Sequence, residues 1–160
     1  MNQYYNPVHT IQGRGCLKEL AGLAADIGEQ GRPVFVLTWD QSVLERSDIK
    51  ALKKIQNRTL LTKVFPASNP EIDQLWNIYL ETRYSDIGLV IAIGGGSVMD
   101  IGKSLCCLYG EKIGSQAELR EKIESGSFQT PSCRWIGVPI TSGTGTPTRS
   151  EERRVGKECR

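Results

Sequence analysis

The sequence predicts an α/β fold, a Rossmann-like parallel sheet with helices on both faces. Short apolar runs alternate with helical patterns at spacings of roughly 20 to 35 residues, the rhythm of βαβ units. Two of the runs, "PVFVLTW" at 33–39 and "DIGLVIAI" at 86–93, are apolar without alternation, as strands buried on both faces are. The second run leads into three consecutive glycines and a serine, Gly94–Ser97. Ligands of such sheets bind beyond the carboxyl ends of the strands, where this glycine loop falls.

Composition narrows the class. The 160 residues suffice for one domain with a buried core. Apolar content of 39% and charged content of 24% are ordinary for a soluble globular protein. No apolar run approaches the ~18 residues of a membrane span. The N-terminal "MNQYYNPVHT" has neither the basic nor the apolar region of a secretory signal. The five cysteines show no CxxC spacing, which fits reduced thiols and a cytoplasmic location. His9 is the chain's one histidine, so this chain cannot build a multi-histidine metal site.

The formal charge of +2 belongs to the last twelve residues, "RSEERRVGKECR". Without them Lys+Arg falls from 20 to 15, Asp+Glu falls from 18 to 15, and the net charge is zero. No nucleic-acid or membrane partner follows from that balance. The same twelve residues resemble the translation of a sequencing-library adapter. The expectation is that 149–160 is a non-native tail, excluded from fold reasoning, and that 1–148 is one domain, truncated at its C-terminal end.

The elements follow in order. "YYNPVHTIQ", 4–12, is aromatic and β-branched with Pro7 near its start, and reads as an edge strand. "CLKELAGLAADIG", 16–28, places Leu17, Leu20, Leu23, Ala24 and Ile27 near helical spacing, with Gly28 as a stop. The strand at 33–39 comes next, then a short helix over "SDIKALKKIQ", 47–56, and a strand over "TLLTKVFP", 59–66. "NPEIDQLWNIYLETRYS", 69–85, reads as a helix with Asn69 as N-cap, Pro70 in the first position and a buried stripe of Ile72, Leu75, Trp76 and Tyr79. The strand at 86–93 precedes helices over 97–109 and 115–126. A strand "RWIGVP", 134–139, and a Gly/Thr-rich loop "ITSGTGTP", 140–147, complete the pattern.

Three readings of the glycine loop compete. "SVMDIGKS" matches the nucleoside-triphosphate motif GxxxxGK[ST] except at Ser97. That motif needs 97–102 as a loop, yet Val98, Ile101, Leu105 and Leu108 share one helix face, which starts the helix before Lys103. The dinucleotide pattern GxGxxG finds Gly94 and Gly96 but meets Met99 at its third glycine. The third reading keeps the physics without the consensus. Ser97 N-caps the helix, Asp100 takes the capping-box position, and the glycines allow close approach and unusual φ angles. The helix N-terminus then presents N–H groups to an anion such as a pyrophosphate, with Lys103 one turn in. Against all three stands a plain strand-to-helix turn without a ligand.

"GGGSVMDIGK", 94–103, resembles the GGGSxxDxAK signature of the iron-containing (group III) alcohol dehydrogenase family, with Gly102 where Ala is usual. "VPITSGTGT", 138–146, is similar to that family's second signature, PTTAGTGSE, departing at Pro147 where Glu is usual. The resemblance implies a domain that binds NAD or NADP, and reversible alcohol oxidation or aldehyde reduction helped by Fe(II) or another divalent metal. It implies that Gly95, Gly96 and Ser97 contact the pyrophosphate, Asp100 fixes the loop, Asn69 lies near the adenosine, and Thr141 and Thr144 line the nicotinamide side. Thr38 and Asp40, with Trp39 between them, are the candidates for the strand end that binds the adenosine ribose; a carboxylate at Asp40 would favour NAD. The family's metal is held by one Asp and three His on a C-terminal all-helical domain, and none of those positions is present. No catalytic or metal-binding residue is therefore assigned, and the chain alone is expected to be inactive and prone to aggregate through an uncovered face. The opening "YYNPV" resembles members that act on small aldehydes, phosphonoacetaldehyde reductases among them. The implied partner is a small alcohol or aldehyde, and the family reading allows a homo-oligomer. Glycerol-dehydrogenase-like or dehydroquinate-synthase-like zinc enzymes, a P-loop protein and a non-catalytic α/β module are the alternatives.

Overall fold

The computed structural model describes residues 9–55, 58–66, 69–128 and 131–140. Within them four strands form one parallel sheet: β1 Val34–Thr38, β2 Leu60–Val64, β3 Leu89–Gly94 and β4 Arg134–Pro139, in the order β2-β1-β3-β4. Both central strands, β1 and β3, are buried along their whole length. Successive side chains point to opposite faces of a strand, and both faces here are apolar. Phe35, Leu37, Val90 and Ala92 enter one core cluster. Val34, Val36, Leu89, Ile91 and Ile93 enter the other. Each large side chain so buried contributes about 1.5–3 kcal/mol relative to exposure. That is why these two runs lack the alternation of a half-exposed strand.

The helices divide between the two faces. α1 Leu20–Ile27 places Leu20 and Ala24 in the second cluster, beside Val43 of α2 Gln41–Leu44 and Ile49 of α3 Ser47–Lys50. α4 Ile72–Thr82, α5 Gly96–Leu108 and α6 Gln116–Ser125 cover the opposite face through Leu75, Ile78, Tyr79, Val98, Ile101, Leu105, Leu119 and Ile123. The predicted face of Val98, Ile101, Leu105 and Leu108 is buried throughout. α5 lies against β3 so closely that a Cβ on Gly102 would sit 2.8 Å from Ala92 Cβ. The small residues at 92 and 102 thus set the helix-to-sheet distance. Ser115 Oγ accepts the Glu118 N–H at 3.2 Å to start α6, and Gly126 ends it in the left-handed conformation at φ 64°.

The structure corrects the sequence reading at several ends. The helix predicted from residue 16 begins as a 3₁₀ turn, Cys16–Glu19, and the one predicted over 47–56 is α3 followed by a 3₁₀ turn, Ala51–Lys54. α2 was not foreseen; Asp40 caps it, accepting the Ser42 N–H at 2.8 Å. α4 starts two residues later than Pro70. Its N-cap is Glu71, in a capping box with Gln74, and Asn69 instead adopts φ 57°. In the predicted stripe, Leu75 and Tyr79 are buried, Ile72 and Trp76 are half-buried, and Ile78 joins the core. The edge strand expected over 4–12 does not form at residues 9–12, which pair with none of the four strands; its first part lies outside the described residues. β propensity at that run has no partner strand to express it. No helix among the described residues is long and apolar enough to cross a membrane.

Candidate functional site

The sheet order creates the site. β1 is hydrogen-bonded to both β2 and β3. The segment after β1 carries α2 and α3 on one face of the sheet, whereas the segment after β3 carries α5 and α6 on the other. The two connections diverge beyond Thr38 and Gly94, which makes this a topological switch point, the place where such sheets hold ligands. The carboxyl ends are tied across the sheet: Phe65 N–H donates to the Thr38 carbonyl at 2.7 Å, and Ile140 N–H to the Gly94 carbonyl at 3.1 Å.

The glycine loop occupies the β3 side of that switch point. α5 begins at Gly96, and its N-cap, Gly95, supplies no capping side chain. The first intrahelical-type donor is Met99, whose N–H bonds the Gly95 carbonyl at 3.1 Å. The amides of Gly96, Ser97 and Val98 precede it and have no intrahelical acceptor. The positive end of the helix dipole adds to them, so the loop suits an anion. Ser97 is therefore not the N-cap, and Asp100, exposed on the fifth helical position, is not at the capping-box position. A glycine cap leaves the Ser97 hydroxyl for another partner. Ser97 Oγ accepts the backbone N–H of Asn69 at 3.1 Å.

The three glycines do not serve the conformational purpose expected of them. Positive φ occurs at Gly13, Gly15, Gly31 and Gly126, not in this loop, and Gly95 is extended at φ −80°, ψ −172°. Gly94 is required by contact: a Cβ there would lie 2.8 Å from Val98 Cβ and 2.8 Å from Val98 Cγ2. The strand turns so tightly into α5 that no side chain fits between them.

On the β1 side, Thr38 is fully buried, and its Oγ1 has no hydrogen-bond partner among the described residues. Leaving a buried hydroxyl unpaired costs about 1–3 kcal/mol, and this one lies at the carboxyl end of β1, beside the switch point. Trp39 follows and packs against both core clusters. Asp40 is exposed, and its carboxylate accepts both the N–H and the hydroxyl of Ser42. Those two bonds hold its pKa below the ordinary carboxylate value. Lys103 lies in the second turn of α5 with Nζ 5.1 Å from the centre of the Trp135 ring. A triphosphate loop would need residues 97–102 to be non-helical, and they are helix.

The structure thus brings Gly95, Gly96, Ser97 and Asn69 together at one end of β3, with Thr38 and Asp40 at the end of the adjacent β1. Thr141 and Thr144 lie outside the described residues. The bond between Asn69 and Ser97 was missed by sequence reasoning. Its one sequence signal is an Asn before Pro70, a residue type that tolerates left-handed backbone and a position where the ordinary helical region is disfavoured.

Comparison with known proteins accords with this geometry. A stretch of 83 residues, 52% of the chain, is 34% identical to "Probable alcohol dehydrogenase EutG" of Escherichia coli (strain K12), of which it covers 20%. The fold matches the iron-containing alcohol dehydrogenase of Thermotoga maritima with a TM-score of 0.72 at 22% identity, over 90% of this chain and 39% of that one. It matches the sulfoacetaldehyde reductase of Bifidobacterium kashiwanohense, solved in complex with NAD+, with a TM-score of 0.73 at 20% identity, over 92% and 38%. The NADH-dependent butanol dehydrogenase A of Thermotoga maritima gives 0.71 at 20%, over 91% and 36%. The chain therefore spans well under half the length of each of these relatives. A family model described as iron-containing alcohol dehydrogenase matches residues 7–150, a span that takes in both glycine-rich signatures and all four strands, and the chain belongs to that family.

Proposed function

We propose that the chain is the dinucleotide-binding part of an NAD(P)-dependent enzyme that interconverts small alcohols and aldehydes. The observation that carries this reading is the uncapped start of α5 at the switch point of a parallel sheet. The pyrophosphate rests on the amides of Gly96 and Ser97, close against the Gly95 backbone, where the helix dipole offsets its charge. Thr38 offers its buried hydroxyl to the ligand from the neighbouring strand. Asp40, held anionic by Ser42, faces the ribose end; a carboxylate there accepts from a 2′-hydroxyl and repels a 2′-phosphate, which favours NAD over NADP. Asp100 braces the loop, and Thr141 and Thr144 line the nicotinamide side. Bound dinucleotide supplies the hydride acceptor or donor; the residues named here bind it and orient it.

The metal is a different matter. Among the described residues no three His, Cys, Asp or Glu form a group able to hold an ion, and the chain has one histidine. The described residues therefore do not fit a metal site. The names of the relatives support a small alcohol or aldehyde as substrate, and a phosphonate- or sulfonate-bearing aldehyde is within that class. The same reading puts the protein in the cytoplasm and allows a homo-oligomer.

Titration of the protein into NADH without magnesium, followed by nicotinamide emission, tests the proposal. Saturable enhancement that Gly96→Val removes is the expected result. Emission unchanged by the protein would overturn it.

A further inference from the structure

Asn69 and Ser97 are 28 residues apart in sequence, yet the Asn69 amide donates to Ser97 Oγ at 3.1 Å. Asn69 reaches that position from the left-handed region, at φ 57°. Residues with a Cβ enter this region reluctantly, and Gly and Asn are the exceptions. Just beyond it, the Glu71–Gln74 capping box starts α4 and fixes the chain's direction. Asn69 therefore lies against the first turn of α5, just ahead of the start of α4.

The direction of the bond matters. A serine hydroxyl has one proton to donate and two lone pairs to accept with. The Asn69 N–H takes a lone pair, so the hydroxyl proton is turned toward another acceptor. Ser97 is the second residue of α5, in the turn whose amides have no intrahelical acceptor. Its O–H can then join those amides as one more donor to an oxyanion.

We propose that Asn69 is a positioning residue, whose left-handed backbone rather than its carboxamide orients the Ser97 hydroxyl toward the dinucleotide phosphate. This inference rests on the dinucleotide reading above. Residues that resist the left-handed region relax out of it in the free protein, and binding must restore it, which weakens affinity.

The experiment compares Asn69→Gly with Asn69→Ala, in the native background and with Ser97→Ala, by calorimetric titration with NAD+. Both substitutions remove the carboxamide, so their difference isolates the backbone. The Ala variant is expected to bind about five- to tenfold more weakly than the Gly variant, the ratio set by the left-handed preference. In the Ser97→Ala background that gap should shrink below about twofold, because the bond that the backbone delivers is gone. The greater freedom of the Gly chain opposes the expected sign, so looseness of the loop cannot produce it. Misfolding would lower the stoichiometry, which calorimetry reads separately from the affinity. Equal affinities of the Gly and Ala variants, or a gap that survives Ser97→Ala, overturns the proposal while native binding of NAD+ keeps the dinucleotide reading standing. Absence of NAD+ binding by the native protein overturns both.

Discussion

Gly94→Ala is the substitution whose effect follows most directly from the packing around it. The new Cβ would meet Val98 Cβ and Cγ2 at 2.8 Å each and Cγ1 at 3.2 Å. Carbon atoms prefer separations near 3.5–4.0 Å, so about 0.7 Å or more must be found. Val98 cannot give it by rotating. It is β-branched in a helix, which fixes χ1, and the Cβ contact is independent of χ1 in any case. Gly94 cannot give it either, because its strand is tied to Pro139 in register and its carbonyl to the Ile140 amide. The first turn of α5 must move away from the end of β3. Overpacking of this kind costs about 1–3 kcal/mol. Replacing a strand glycine returns about 0.5–1 kcal/mol. The net expectation is a loss of about 1–2 kcal/mol, read as a lower urea midpoint with unchanged slope. NAD+ affinity should fall by tenfold or more, since the amides that hold the phosphate move with the turn. Adding Val98→Ala removes the two Cγ contacts and should recover part of both losses beyond additivity. A Gly94→Ala protein with native stability and native affinity would refute the claim that contact, rather than conformation, demands glycine here.

Four further outcomes follow from particular residues. Asp40→Asn keeps an N-cap for α2 and should leave stability within about 0.5 kcal/mol, while raising NADP affinity relative to NAD; Asp40→Ala should cost about 1 kcal/mol by loss of the cap, both read by urea denaturation and cofactor titration. Ser115→Ala removes the acceptor for the Glu118 N–H and should cost about 1 kcal/mol in the same denaturation assay. Burial raises the pKa of Tyr109 and of Cys106. The native state thus holds these protons more tightly than the unfolded chain. Stability is full below the ordinary thiol and phenol ranges and falls as pH rises through them, and Tyr109→Phe should flatten the decline measured by thermal unfolding above about pH 10. Finally, if residues 149–160 are a non-native tail on a dinucleotide-binding unit of 1–148, a chain ending at Thr148 should bind NAD+ and unfold as the 160-residue chain does; a lower melting temperature would count against that boundary.

Much of the fold was legible because its strongest signals are local. β1, β3 and β4 are short apolar runs, and α5 announces itself through Val98, Ile101, Leu105 and Leu108, all of them buried as expected. What was misread lies at helix starts, where several residues compete for one role. Asn69, Pro70 and Glu71 are each plausible at the start of α4. The Glu71–Gln74 capping box takes the role, and the Asn69 amide is bonded instead to Ser97, a contact that no local pattern contains. Ser97 loses the capping role assigned to it because α5 is capped two residues earlier, by Gly95. α2 escaped notice because four residues carry no periodicity, and Asp40 had been considered only as a ligand. The glycines were read as allowing close approach and unusual φ angles; no positive φ occurs there, and the need at Gly94 is steric, a clash across a strand–helix turn that is invisible until both elements are placed. The strand–glycine–helix turn itself was readable, since a glycine run between a buried strand and an apolar-faced helix leaves few other arrangements.

The start of α5 is proposed to hold a dinucleotide pyrophosphate rather than a magnesium-bound triphosphate or nothing. Calorimetric titration of the purified protein with NAD+ in the presence of EDTA, and separately with ATP and Mg²⁺, tests it most directly. NAD+ is expected to bind with one-site stoichiometry without magnesium, and Mg·ATP to compete weakly or not at all. Binding of Mg·ATP without binding of NAD+, or heats of dilution alone in both titrations, would contradict it.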